Sequence, residues 1–189
     1  MTRDVDREET LLRQIIRGNR AAMKRFYDTY SGYLTAVCSR YVPDKEDVKD
    51  ILQESFIKIF KAVDTFEYKG EGSLKAWASR IVVNEALKHI RTGSRLKVTN
   101  MPEGELPDLA DDREPDFHEI PTPVIMEMIR KLPMGYRTVF NLYVFEEKSH
   151  KEIASLLNIS ESTSASQLHR AKAQLMQEID SYRFKKMAL

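Results

Sequence analysis

The chain is poor in the features on which most enzymes and membrane proteins depend. It holds a single cysteine, Cys38, so no internal disulfide can form, and its neighbours Leu34, Ala36 and Val37 mark a buried structural thiol. No apolar run approaches the roughly twenty residues a membrane span requires. The opening MTRDVDREET is too acidic and polar for a secretory signal, so a cytoplasmic protein without direct membrane insertion is expected. There is no phosphate-cradling glycine loop ending in lysine and serine, and no histidine pair at the spacing of a zinc-binding helix. His89, His118, His150 and His169 are scattered over separate segments, and the serines between Ser160 and Ser166 lie in no strand-to-helix elbow of the kind a nucleophile uses. The expectation is a protein that is not an enzyme, with no metal site and no cofactor. Strand-like alternation and internal repeats are missing too.

Net charge is also nearly absent: 30 lysines and arginines against 29 aspartates and glutamates leave +1. Affinity for nucleic acid rests largely on neutralising phosphates, so this total speaks against a nucleic-acid binder until its distribution is considered. Arg80, Lys88, His89, Arg91, Arg95 and Lys97 form a basic block, and Glu103, Glu105, Asp108, Asp111, Asp112, Glu114, Asp116 and Glu119 form an acidic one directly after it. The total hides two opposite segments. With 189 residues, 42% of them hydrophobic, the chain can build two small cores.

What is present is helical periodicity. Leu11, Leu12, Ile15 and Ile16 predict a first helix within residues 5–17, stopped at Gly18 and Asn19. Ala22, Phe26, Tyr30, Tyr33, Leu34 and Val37 predict a long second helix over 20–41 that Pro43 ends, with a bend allowed at Gly32. Asp44 caps a third, whose inward stripe is Val48, Ile51, Leu52, Ser55, Phe56, Ile59, Phe60 and Val63. Its outer strip is Asp47, Asp50, Gln53 and Glu54, either a solvated face or a docking surface.

The segment DTFEYKGEGS reads as a loop, and Ser73 is placed as the cap of a fourth helix with Leu74, Trp77, Ile81 and Ala86 inward. Lys75, Arg80, Asn84, Lys88 and Arg91 are then left outside, beside the loop aromatics Phe66 and Tyr68. A basic groove next to aromatic rings suits single-stranded nucleic acid, since rings stack on unpaired bases. The alternative is a loop whose aromatics fold back into the core. Residues from about Thr92 to Pro121, with Pro102, Pro107 and Pro115 among the acidic side chains, read as a linker. Thr122 followed by Pro123 then opens a helix with Val124, Met128, Ile129 and Leu132 inward, and another is expected over 133–145.

The last stretch carries the most local information. Ser149 and Glu152 have capping-box spacing, Asn158 suits a left-handed stop, Ile159 plugs the corner and Ser160 is an N-cap, which together spell a helix-turn-helix. On its second helix Ser164, Leu168, Ala171 and Leu175 form the inward stripe. Ser162, Thr163, Ser166, His169 and Arg170 face outward with Gln167 and Lys172 on the flanks, and all can hydrogen-bond bases or phosphates in a major groove. The fold class is therefore all-α: two small helical domains joined by a flexible acidic linker, the C-terminal one a helix-turn-helix, with boundaries at 1–95, 96–121 and 122–189.

Over nearly its whole length the chain resembles bacterial alternative sigma factors of the extracytoplasmic-function family. DVKDILQESFIKIFKAVDTF is similar to that family's core-polymerase-binding segment, SLKAWASRIVVNEALKHIR to its segment for the melted −10 element, and LPMGYRTVFNLYVFEEKSHKEIASLLNIS to its −35-binding domain. The resemblance implies that the partners are promoter DNA and the RNA polymerase core, and it admits an anti-sigma factor. It implies that Asp50, Gln53, Glu54 and Phe56 meet the coiled coil of the β′ subunit. It implies that Phe66 and the loop through Gly72, with Tyr68, Arg80, Asn84 and Lys88, take the −10 element and capture a flipped base. Thr163, Ser166, Gln167, His169 and Arg170 would read the −35 region, with Lys172 on its backbone. Many members carry valine, a basic residue and arginine where this chain has Ser164, Ala165 and Gln167, so base preference does not transfer. A dimeric regulator would instead bind a palindrome without polymerase, and a hydrolase would need a convergent polar pocket.

Overall fold

The computed structural model describes residues 7–92 and 114–187, and the chain divides into two compact units, Met1–Thr92 and Gly93–Leu189. Among the described residues there are eight α-helices and one 3-10 turn, and no strand. Arg95, Lys97 and the acidic residues from Glu103 to Asp112 lie outside the described residues.

The first unit comprises α1 (Arg7–Ile16), α2 (Arg20–Tyr41), α3 (Lys45–Ala62), a 3-10 turn (Val63–Thr65) and α4 (Ser73–Thr92). Local chemistry sets its corners. Gly18 adopts a φ of +77°, the left-handed geometry that ends α1, and its N–H bonds the carbonyl of Ile15 at 2.8 Å. Asn19 then begins α2 by accepting from the N–H of Ala22 at 3.0 Å. Helix α2 is continuous through Gly32 and ends at Tyr41, two residues before Pro43. Asp44 accepts from the N–H groups of Glu46 and Asp47 at 2.9 and 3.1 Å, the expected cap of α3. The core gathers Leu12, Ile15, Phe26, Leu34, Tyr41, Ile51, Ile59, Leu74 and Val82, with Phe26 tilted against Tyr30 and edge-on to Phe60.

Two expectations change here. The buried stripe of α4 runs through Leu74, Ala78, Val82, Ala86 and Ile90, not through Trp77 and Ile81, which are only half-buried. Leu74 and Ala86 are buried as expected, while Ala78 and Val82 take the inward places given to their bulkier neighbours Trp77 and Ile81. Ser73 is the first helical residue, and its hydroxyl reaches back to donate to the Gly70 carbonyl at 2.6 Å.

The second unit comprises α5 (Thr122–Lys131), α6 (Met134–Val144), α7 (His150–Leu157) and α8 (Glu161–Met187). Thr122, expected as the cap of α5 from its place before Pro123, is its first helical residue; Pro121 occupies the cap position, and among the described residues no side chain caps it. Arg137 is buried in α6 and donates to the carbonyls of Arg130 and Leu132 at 2.8 and 3.2 Å, satisfying the end of α5. Burial lowers its guanidinium below the ordinary arginine value. Residues 114–121, read from sequence as the end of the linker, lie on α8: Arg183 bonds the Asp116 carboxylate at 2.8 Å, and Ile120 is buried. None of the helices described is long and apolar enough to cross a membrane.

Candidate nucleic-acid and partner interfaces

Helix α3 presents its acidic strip to solvent. Asp50, Gln53 and Glu54 are exposed, whereas Asp47 lies 3.3 Å from Nε2 of His89 on α4. Phe56, expected with them, is only 8% exposed, because it points inward and packs against Phe26 and Tyr27 at ring-centroid distances of 6.3 and 4.8 Å. It still contributes a wall to an apolar groove of about 750 Å³ between α2 and α3, lined also by Tyr27, Leu52, Ile57 and Phe60. Tyr27 and Ile57 stand 51% and 41% exposed on its rim. A groove of this kind beside carboxylates suits a partner helix with an apolar face and a basic edge.

The loop before α4 forms the second feature. Phe66 is half-buried, and its ring lies against Trp77 at 4.9 Å and 35°. From Trp77 the outer side of α4 continues through Ile81, Asn84 and Lys88 at steps of four, three and four residues, so an aromatic pair heads a stripe ending in an amide and an ammonium. Arg80, Asn84 and Lys88 are exposed, as expected. Asn84 opens onto a shallow depression shared with Lys58, Lys61, Ile81 and Glu85. Glu85 holds Lys58 at 2.6 Å, and that hydrogen bond raises the lysine above its usual range. Tyr68 is half-buried, between the two outcomes its sequence position allowed.

Apolar periodicity places Trp77 in the core and so misses it as part of this face; its step to Ile81, Asn84 and Lys88 is the available signal. Glu8 was also missed. It is buried in the first turn of α1, accepting from the hydroxyl of Tyr30 at 2.9 Å and from the N–H of Gly72 at 2.7 Å. Its sequence signal was an acid placed in phase with Leu12 and Ile15.

The third feature is the helix-turn-helix. Ser149 Oγ accepts from the Glu152 N–H at 3.3 Å, and Glu152 accepts from the Ser149 N–H at 2.9 Å, closing the capping box of α7. These bonds from Ser149, aided by Lys148, hold the Glu152 carboxyl below its ordinary value. Asn158 takes φ 55°, ψ 49°, the left-handed stop, and Ser160 Oγ accepts from Thr163 N–H at 2.9 Å to begin α8. His150 Nδ1 lies 2.9 Å from Oγ of the buried Ser164, tying the two helices together. Ser166 and His169 are exposed, while Thr163 and Arg170 are half-exposed.

Gln167 departs from expectation: it is 7% exposed and packs on Gly135 of α6, because α8 turns this position into the seam with α6. It is not on the outer face. Lys172 is half-buried, ion-paired with Glu114 and 5.9 Å from the Tyr143 ring centroid. Of the outward set, Ser166, His169, Thr163 and Arg170 therefore share one open face near the start of α8. Among the described residues no cluster of three His, Cys, Asp or Glu side chains could hold a metal ion.

Comparison with known proteins follows this division. Residues 26–96 match the family model described as Sigma-70 region 2, and residues 124–175 the one described as Sigma-70, region 4. The chain is 24% identical over 188 residues to the ECF RNA polymerase sigma-E factor of Haemophilus influenzae, covering 91% of this chain and 95% of that protein. To the protein of the same description from Escherichia coli strain K12 it is 26% identical over 175 residues, covering 87% and 90%. Among solved structures, it is similar to CnrH in complex with the cytosolic domain of CnrY (23% identity, TM-score 0.47, 91% of this chain and 96% of that one). It is also similar to the sigma factor RpoE in complex with the anti-sigma factor NepR from Bartonella quintana (19% identity, TM-score 0.48, 83% and 96%).

Proposed function

The chain belongs to the extracytoplasmic-function family of bacterial sigma factors and directs RNA polymerase core to promoters, and from that premise we propose how its surfaces divide the work. The α3 strip of Asp50, Gln53 and Glu54, with the groove that Phe56 walls, docks the coiled coil of the β′ subunit. The loop from Phe66 to Gly72, with Trp77, Arg80, Asn84 and Lys88, receives the melted −10 strand. Ser166, His169, Thr163 and Arg170 meet the −35 duplex. The partners are the polymerase core and promoter DNA. An anti-sigma factor, the class of protein NepR is for RpoE, is the regulator this reading provides for. The chain itself performs no chemistry, since the polymerase supplies it.

The observation that carries this reading is the Phe66–Trp77 pair, two tilted rings with centroids 4.9 Å apart at the head of a polar and basic helical stripe. Extruding a base costs a few kcal/mol, and stacking on an aromatic ring returns about 1–3 kcal/mol per base, so the site rewards a strand already open. Tethering both DNA-binding units to one polymerase raises the effective concentration of each at its element.

The test is transcription in vitro with purified core, combined with permanganate footprinting of the −10 region. Asn84→Ala is expected to reduce melting and alter −10 preference while core binding persists. Unchanged melting and preference would make Asn84 a structural residue and remove the capture role of this face. For docking, charge reversal at Asp50 or Glu54 should weaken pull-down of core with circular dichroism unchanged.

A further inference from the structure

We propose that Glu8 is a positioning residue for base capture, holding the loop between Phe66 and Gly72 in the shape that presents it to the −10 strand. This inference rests on the capture reading above. It begins from an unusual placement: a carboxylate buried to 8% exposure in the first turn of a helix, one turn before the core residues Leu12 and Ile15.

Each carboxylate oxygen has a defined donor. Oε1 accepts from the Tyr30 hydroxyl on α2 at 2.9 Å, and Oε2 accepts from the backbone N–H of Gly72 at 2.7 Å, across 64 residues of sequence. Donors from α2 and from the loop thus converge on one buried side chain, so Glu8 bridges the two. Gly72 is also the joint of the loop. Its φ is +85°, a conformation side-chain-bearing residues rarely adopt, and its carbonyl accepts from Ala76 N–H at 2.9 Å in the first turn of α4.

Local hydrogen bonds also fix this joint. Ser73 bonds the Gly70 carbonyl through both its hydroxyl and its N–H at 2.6 and 3.1 Å, and the Phe66 N–H bonds Val63 at 3.3 Å. Those bonds set the turns, and the Phe66 ring on Trp77 ties the start of the loop to α4. Glu8 adds a tie at the loop's other end from α1, a helix that precedes the residues matched by the region 2 family model, 26–96. With it in place, Gly72 sets the start of α4, and thereby the register of Trp77 under Phe66.

The test uses full-length chain assembled with core, on a promoter selected by the wild-type holoenzyme from a library randomised over the −10 element. 2-Aminopurine is placed at each −10 position in turn, so that base extrusion is read as fluorescence. Glu8→Leu keeps the side-chain bulk and removes the acceptors. It is expected to lower the open-complex rate and extrusion signal about tenfold, the effect of one misplaced hydrogen-bonded contact, while core binding stays unchanged. Glu8→Gln should restore most of the loss, because the amide oxygen can accept from Gly72 while its N–H donates to the Tyr30 hydroxyl.

Should Glu8→Leu lower the melting temperature enough to confuse the readout, Glu8→Asp keeps the charge and shortens the reach, and the same loss is expected. Phe66→Ala is the control on the capture reading. Wild-type extrusion by Glu8→Leu and Glu8→Asp, with Phe66→Ala defective, overturns the role of Glu8 and leaves capture standing. Wild-type extrusion by Phe66→Ala overturns both. An equal loss in Glu8→Leu and Glu8→Gln also overturns the positioning role, since the rescue is its signature.

Discussion

Gln167 and Gly135 meet at the seam of α6 and α8: a Cβ on Gly135 would stand 3.1 Å from Oε1 of Gln167, in a space that holds the amide nearly buried. Among the described residues that oxygen has no hydrogen-bond partner. An unpaired buried polar atom costs stability, so Gln167 is kept by its packing and not by its polarity.

The first prediction is a double-mutant cycle on this pair. Gly135→Ala alone sets a helix-propensity gain of up to about 1 kcal/mol against overpacking worth about 1–3 kcal/mol, and should destabilise the second unit. In a Gln167→Ala background the same change should stabilise, giving a favourable coupling of at least about 0.5 kcal/mol in thermal or urea melts. Gln167→Ala should also leave the −35 sequence selected by the holoenzyme unchanged. A shifted −35 preference would return Gln167 to the reading face.

The second prediction concerns the capping box. Ser149→Ala should cost about 1 kcal/mol, since it removes the acceptor for the Glu152 N–H at 3.3 Å. Glu152 adds a pH dependence. Its folded carboxyl is held below the unfolded value of 4.5, so its contribution is present above that pH and lost as pH falls through the depressed folded value. The melting difference between wild type and Glu152→Gln should therefore shrink on acidification below about pH 4.5. A difference constant from pH 7 to 3 would contradict it.

The third prediction is chemical. Cys38 is fully buried, and desolvation pushes its thiol up to about 12, so almost no thiolate exists at neutral pH. Iodoacetamide should alkylate the native chain more than about a hundredfold slower than the urea-unfolded chain at pH 7.5. Comparable rates, read by mass spectrometry, would mean that the α2 core opens readily.

These sites differ in how far they could be read from the chain alone, and the difference is physical. Ser149, Glu152, Asn158 and Ser160 act on backbone groups within four residues of themselves, so spacing was enough to place them. Asp44 was legible for the same reason. Trp77 and Gln167 were not, because the face a helix buries depends on how closely its neighbours approach. Small Ala78 and Ala86 are buried in α4 and Gly135 lies against Gln167, while periodicity weights large apolar groups. Glu8 finds Gly72 across 64 residues, a pairing that no local pattern encodes. The two-unit, all-helical plan was legible throughout, since it follows from stripes repeated over tens of residues.

The last prediction separates the basic residues of α8 by their present partners. Each phosphate neutralised by a free cation steepens the dependence of log affinity on log salt by about 0.9. Among the described residues Arg170 makes a single long hydrogen bond, 3.5 Å to the Tyr136 hydroxyl, so Arg170→Ala should flatten the slope by nearly that full amount. Lys172 already holds the Glu114 carboxylate and stands beside the Tyr143 ring, so it has less charge to give to DNA. Lys172→Ala should flatten the slope by less, and Glu114→Gln should steepen it by freeing the lysine. Measurement is by holoenzyme binding to a fixed promoter over a salt series, which keeps the tether that gives this unit its effective concentration. Neither change at this pair should alter the −35 sequence selected, because a phosphate contact carries no base information. If Lys172→Ala removed a full unit of slope while Glu114→Gln changed nothing, the ion pair would be broken in the holoenzyme, and Lys172 would be as free an anchor as Arg170.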